Sequence, residues 1–376
     1  MTTLCFALPA ILIISTEHAS AQATDFFQPL TAAEYHKIIK QGFATFHFKS
    51  DKQLEENFNY QPKNIHDVYD RGFRNLRLRC RPEPYEKPYN SSDFTRFLNK
   101  LEEVVDKCIE VGVAPIISWE NHQAEAYATE EERELYLLWW KKVAEKLRDK
   151  NYHLSFNLFT ELGKDKCRNN CSLSLPTNIT KYNEWTAAVV GIIRAAGGKN
   201  AQRIIILGAP QINSRSLDMI DRSIYENDPY MLVEWHYYAA GPNKRLFRNG
   251  RPTERYWSGN GTESQRQVLK NFIELAENFA NSGGLLGYFG AWMPRDNLYG
   301  QMQQEEVENF ARFFVNELKV KNIPWSLNAL ENYYNTASSE WIIGKQILPP
   351  PNRRNRPGVE LYMDRVLEVI LDAMNN

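Results

Sequence analysis

Two apolar runs of this chain end in residues able to do chemistry. FNLFTELG carries Glu161, and LLGYFGAW carries Tyr288. A carboxyl group gives and takes protons readily, whereas a phenol, with an ordinary pKa of about 10, needs a base or a cation beside it first. Other runs end in polar side chains too. Arg77, Arg79 and Arg81 alternate at the end of GFRNLRLRCR, and a period of two puts them on one face of a strand. Trp119, Glu120, Asn121 and His122 end the next run, and Gln211 and Asn213 follow a later one. Glu234, His236 and Tyr238 share one face of MLVEWHYY, while Trp292, Trp325 and Asn328 stand near the ends of the last two runs. Carboxylates, imidazoles and guanidinium groups can move protons and hold a polar substrate. Indoles supply a face on which a sugar ring stacks.

These residues act together only if the fold brings the run ends to one place. From Phe43 onward, short β-branched or aromatic runs alternate with helical patterns, the mark of βα units around a parallel sheet. The expected strands are Gly42–Phe48, Phe73–Arg79, Val113–Trp119, His153–Phe159, Arg203–Gly208, Met231–Tyr237, Leu285–Phe289 and Ile323–Asn328. The expected helices are Asn64–Asp70, Ser92–Glu110, Glu130–Arg148, Lys181–Ala196, Ser214–Ile224, Gln265–Ala280, Gln304–Val320 and Val359–Met374. In the second helix, Phe94, Phe97, Leu98, Leu101, Val104, Val105, Cys108 and Ile109 form a stripe of helical period that buries one face. Eight such units close into an α/β (β/α)8 TIM barrel, whose chemistry gathers at the C-terminal ends of the strands. An open doubly wound sheet would announce a Gly-rich phosphate loop after its first strand, and GFATFHFKS is not one. The polar insert Gly241–Thr262, with Tyr256 and Trp257, is expected to wall the cleft.

In their order, these segments resemble glycoside hydrolase family 5, the cellulase family of barrel glycosidases, over roughly Phe43–Asn328. GFRNLRLR is similar to the family's second-strand segment, with its arginine at Arg77. FNLFTELG is similar to the fourth-strand segment, which makes Glu161 the general acid/base. WHYY is similar to the sixth-strand His-x-Tyr, at His236 and Tyr238, and YFGAW to the seventh-strand Glu-Phe-Gly. The chain departs from the pattern at four places. Thr160 stands where the family has a sugar-binding asparagine, and Glu120 stands near its third-strand histidine, with His122 as a possible substitute. Arg79 replaces a common proline. Tyr288 replaces the nucleophilic glutamate.

The resemblance implies a polysaccharide-cleaving enzyme acting on a β-linked glycan with Glu161 as general acid/base and no cofactor. Arg77, Arg79, Glu120, His122, Glu234, Tyr238, Trp292 and Asn328 would hold sugars, and Tyr288 and His236 would join the catalysis. Retaining hydrolysis needs two carboxyl groups about 5–5.5 Å apart. With Tyr288 in place of one of them, Tyr288 itself attacks, or Glu120 or Glu234 serves as a wider-set base. Two other readings stay open. A lyase would eliminate across a uronate, with Arg77 and Arg79 neutralising its carboxylate and Tyr288 or His236 moving the proton. A pseudo-glycosidase would bind glycan without turnover.

The bulk numbers fit an ordinary globular chain of 376 residues, 43% hydrophobic and 24% charged. A formal charge of −1 offers no electrostatic case for nucleic acid or an anionic membrane, and a monomer is expected. Leu4–Ile14 is apolar but short, and Ala19-Ser20-Ala21 is a small-residue cleavage pattern. Residues 1–21 are therefore expected to be a signal peptide, and residues 22–376 a single secreted domain, extracellular or periplasmic. In an oxidising compartment, Cys167 and Cys171, which flank RNN, would form a local disulfide. Asn90, Asn170, Asn178 and Asn260 begin Asn-x-Ser/Thr triplets. No second His or Asp stands at ligand spacing from His122, so no metal is expected.

Overall fold

Eight parallel strands close into a barrel, each pairing with its sequence neighbours and the first with the last. They are β1 (Gln41–Phe48), β2 (Asn75–Cys80), β3 (Ala114–Trp119), β4 (Ser155–Asn157), β5 (Ile205–Gly208), β6 (Met231–Trp235), β7 (Gly287–Trp292) and β8 (Trp325–Asn328). The computed structural model describes residues 27–48, 60–162, 174–237, 245–248, 251–255, 257–294, 303–348 and 359–376. All eight expected strands are present, and the fold is the (β/α)8 TIM barrel. No described helix is long and apolar enough to cross a membrane.

The helices are α1 (Ala32–Ile39), α2 (Pro62–Asp70), α3 (Ser92–Val111), α4 (His122–Tyr127), α5 (Glu130–Leu147), α6 (Ile179–Ala195), α7 (Glu263–Asn281), α8 (Gln304–Val320) and α9 (Met363–Asn375). Their boundaries follow local chemistry. On α3, the Ser91 hydroxyl accepts from Phe94 N at the start, and Gly112 at φ 90° ends the helix. Phe94, Phe97, Leu101, Val104, Val105 and Cys108 face the barrel, as the periodicity requires. The short α1, which sequence patterning did not indicate, is built on a reciprocal cap between Thr31 and Glu34. It closes the bottom of the barrel. The Tyr35 hydroxyl donates toward His153 O at 3.1 Å and Ser155 Oγ at 2.9 Å.

Two expected helices differ. Ser214–Ile224 is two 3-10 pieces, Ser214–Met219 and Arg222–Ile224. Asn213 and Asp221 each accept from the backbone N–H two residues on, and these local bonds restart the chain instead of continuing a helix. Val359–Tyr362, expected to open the last helix, instead pairs antiparallel with Lys345–Leu348. A hairpin, Arg245–Arg248 with Arg251–Arg255, lies within the insert after β6. Trp257 at the far end of that insert is fully buried against Phe310 and Phe313 of α8, so it belongs to the core.

Side chains inside the barrel stack in levels. Tyr35, Ile39, Ile116, Ile206, Leu232 and Tyr288 share an apolar cluster at the lower level. Charged residues lie above it. A second, larger core fills the space between strands and helices.

Candidate active site

The strand ends on β2 determine how the mouth is built. Arg77 and Arg79 both point into the barrel and are almost completely buried, so each needs partners. Arg77 donates to Asn157 Oδ1 through Nε and Nη2 at 3.2 and 3.0 Å, and to Gly290 O through Nη1 at 3.1 Å. Its Nη2 also meets Glu234 Oε1 at 2.5 Å. One level higher, Arg79 donates from Nε to Glu120 Oε2 at 2.8 Å, from Nη1 to Asn328 Oδ1 at 3.0 Å and from Nη2 to Glu161 Oε2 at 3.3 Å. Arg79 thus ties together residues at the ends of β3, β4 and β8. Its guanidinium lies 5.5 Å from the centre of the Phe46 ring.

Glu161 stands four residues past the end of β4, and two bonds made by the residue before it fix its place. Thr160 N donates to Trp119 O at 2.7 Å, and the Thr160 and Ser118 hydroxyls are bonded to each other. Glu161 itself takes the left-handed backbone conformation, with φ 54°. For a residue with a β-carbon this is a strained geometry, of a kind that recurs at functional sites. The side chain is 23% exposed, against 1% for Glu120 and 2% for Glu234. Glu161 is therefore the carboxyl of this cluster that a substrate can reach.

His122 begins α4, which Asn121 caps by accepting from Ala124 N at 2.9 Å. Its Nδ1 lies 3.1 Å from Glu125 Oε2, and its Nε2 lies 3.8 Å from Glu120 Oε1 and 3.9 Å from Glu161 Oε2. Burial works against a charged ring here. The Glu125 carboxylate overcomes it by charge and hydrogen bond, with Glu120 and Glu161 adding, and the His122 pKa is pushed up to about 9. Burial pushes Glu125 up to about 7, although the His122 charge pulls the other way. Glu125 was not among the residues expected from the sequence. The signal was a Glu three residues after His122, legible only once the segment is known to be helical.

Two expected site residues lie elsewhere. Tyr288 has no exposed surface and belongs to the apolar cluster beneath the arginines. Its hydroxyl is bonded to Ser326, whose own hydroxyl donates to Asn75 Oδ1 at 2.5 Å, and burial raises its pKa. A phenol held there is not presented to the mouth, which corrects the expectation of a working tyrosine. Trp292 is likewise buried, 5.0 Å from the Phe314 ring and 5.5 Å from that of Trp325, so it offers no stacking face to a sugar. Glu234 pairs in register with Tyr288, and a β-carbon at Gly290 would lie 2.3 Å from Glu234 Cδ. The Glu234 carboxylate thus fills the space that glycine leaves on β7, and it pairs there with Arg77 and His236 Nε2. Tyr238, Cys167 and Cys171 lie outside the described residues.

Comparison with known proteins places this architecture. The family model for cellulase, glycosyl hydrolase family 5, matches residues 37–331. Cellulase/esterase CelE of Acetivibrio thermocellus is 25% identical over 223 residues, 57% of this chain and 26% of that protein. Endoglucanase B of Paenibacillus lautus is 20% identical over 262 residues, 65% of this chain and 43% of that protein. This chain thus spans less than half the length of either relative. Among solved structures, a GH5-4 broad specificity endoglucanase from Clostridium longisporum superposes with a TM-score of 0.70 at 14% identity, covering 93% of this chain and 99% of that one. A hyperthermophilic endo-β-1,4-glucanase gives 0.66 at 19% identity, covering 83% and 97%. At these identities the structures speak for the fold, and the family match speaks for descent. The chain belongs to the cellulase family, glycosyl hydrolase family 5.

Proposed function

We propose that the protein is a secreted, monomeric glycoside hydrolase that cuts a β-linked glucan, with Glu161 as its general acid/base. The observation that carries this reading is the position of Glu161: the reachable carboxyl of the cluster, held at the mouth by Arg79. The named endoglucanase relatives supply the substrate class. Glu161 gives its proton to the glycosidic oxygen as the C–O bond breaks, then takes one from the water that adds to the anomeric carbon. His122 and Asn328 line its surroundings, with His236 on the β6 side. Glu234 is paired with Arg77 and hydrogen-bonded with His236, and takes no part in bond-making. In an oxidising compartment, Cys167 and Cys171 would be joined as a local disulfide.

Elimination across a uronate would need a cation for the substrate carboxylate. Arg77 and Arg79 are engaged by Glu234, Glu120 and Glu161, and the Tyr288 phenol is out of reach. Hydrolysis is thus the better-supported chemistry. The test is incubation with a neutral β-glucan and with a uronate polymer, reading new reducing ends and absorbance at about 235 nm. Reducing ends on the glucan without that absorbance are expected. Glu161→Gln should lower turnover by about 10²–10⁴-fold. An unsaturated product, or undiminished turnover in the variant, would overturn this assignment.

A further inference from the structure

On the β3 side of the mouth, one buried acid has no part in the reaction as written above. Glu125 lies one helical turn after His122 on α4, so the two side chains share a face. Glu125 is fully buried, and its Oε1 has no hydrogen-bond partner among the described residues. A carboxyl group is costly to bury unless it is paired. Among the described residues its side chain bonds through Oε2 to His122 Nδ1 at 3.1 Å. With Nδ1 held from behind, Nε2 is left facing the mouth, 3.9 Å from Glu161 Oε2.

We infer that Glu125, His122 and Glu161 form a proton relay: Glu125 and His122 are positioning residues that supply the proton Glu161 donates. This deepens the hydrolase reading and rests on it. One proton moves. At rest it sits on His122 Nε2, where the ring's positive charge lies between Glu125 and Glu161. It crosses to Glu161 as a glycosidic oxygen approaches. It then passes to that oxygen while the C–O electron pair leaves on the oxygen. The water that adds to the anomeric carbon sheds a proton to Glu161, which returns it to Nε2. The Nδ1 proton stays on the ring throughout and is donated to Glu125 Oε2 as a hydrogen bond. A merely structural pair would hold α4 in place but would not couple the state of His122 to turnover.

Other charged groups face the ring. Glu120 is on its own loop, Glu83 approaches from the loop after β2, and both favour the charged ring as Glu125 does. Arg79 and Arg81, from the end of β2, stand against Glu120 at 2.8 and 3.5 Å and offset part of that pull. Glu125 is the group that touches Nδ1, so changing it should move the ring most.

The experiment compares the full chain with His122→Asn and Glu125→Gln on two substrates. One is an unactivated neutral β-glucan, and the other is a 2,4-dinitrophenyl β-oligoglucoside, whose leaving group needs no proton. His122→Asn should cut glucan turnover by about 10²–10⁴-fold and turnover of the activated substrate by at least roughly tenfold less. Glu125→Gln should move the alkaline limb of the glucan rate profile down from about 9 toward the ordinary imidazole value of 6.5. Equal losses on both substrates, or an unmoved limb, would overturn the relay. NMR titration of the His122 ring reads the same coupling without turnover. The ring should titrate high in the wild type and lower in Glu125→Gln, and an unmoved ring overturns the relay alone. Folded wild-type protein that turns over no β-glucan would overturn the hydrolase reading and the relay built on it.

Discussion

Glu234 shows how one residue's position changes the meaning of another. A glutamate at position 288 would have brought negative charge to the level of Arg77. The chain has a tyrosine there, and the charge comes from the register partner on the adjacent strand. Because Arg77 and Glu234 are both buried, removing one strands the other. Arg77→Met should therefore lower stability by about 3–5 kcal/mol. Arg81→Met, at a side chain 35% exposed, should stay within about 1 kcal/mol. Denaturant midpoints measured on both variants check the contrast, and equal shifts would refute it. Tyr288→Phe removes only the hydroxyl bonded to Ser326. It should cost about 1 kcal/mol of stability and leave glucan turnover largely intact. A large loss of turnover in correctly folded Tyr288→Phe would restore the catalytic role expected from its place in the sequence.

At the scale of elements, the barrel strands and most helices were legible because apolar periodicity is a local property. The second and seventh expected helices sit almost where their stripes place them. What escaped was whatever depends on a partner far along the chain. Val359–Tyr362 reads as the start of a helix until Lys345–Leu348 is beside it. The α1 helix is too short for its pattern to stand out, yet it closes the barrel through Tyr35. Its two supports should differ in weight. Thr31→Ala removes an exposed cap and should cost about 0.5–2 kcal/mol. Tyr35→Ala leaves a cavity among Ile39, Ile116 and Leu232 and should cost about 3–5 kcal/mol. Thermal unfolding followed by circular dichroism distinguishes them.

For the whole molecule, two histidines, one buried and one half-buried, set a pH range of stability. Burial lowers His153 from 6.5 to about 4, so the folded state holds it neutral. Its contribution is present above 6.5 and is lost as pH falls through 4. His122 acts in the opposite direction. Its raised pKa contributes stability that is present below 6.5 and lost as pH rises through about 9. Glu125, raised from 4.5 to about 7, adds a decline across that interval. The unfolding temperature should thus pass through a maximum in mildly acidic solution. His153→Asn should flatten the acid side and His122→Asn the alkaline side. Calorimetry across pH checks this, and variants that leave both sides unchanged would rule the assignment out.

The sequence by itself determined the barrel, its family and the place of Glu161, because apolar periodicity and the order of strand-end motifs are written along the chain. It also brought Arg79, Glu120, His122 and Asn328 to one mouth, since strand ends in a closed barrel have nowhere else to converge. Only the tertiary structure decided depth. Alternation tells which way a side chain points, not how far along the barrel axis it sits or what lies above it. That is why Tyr288 and Trp292, at strand positions that read as the cleft, are buried, and why Glu125, in a segment for which sequence patterning indicates no element, lies against the histidine of the mouth.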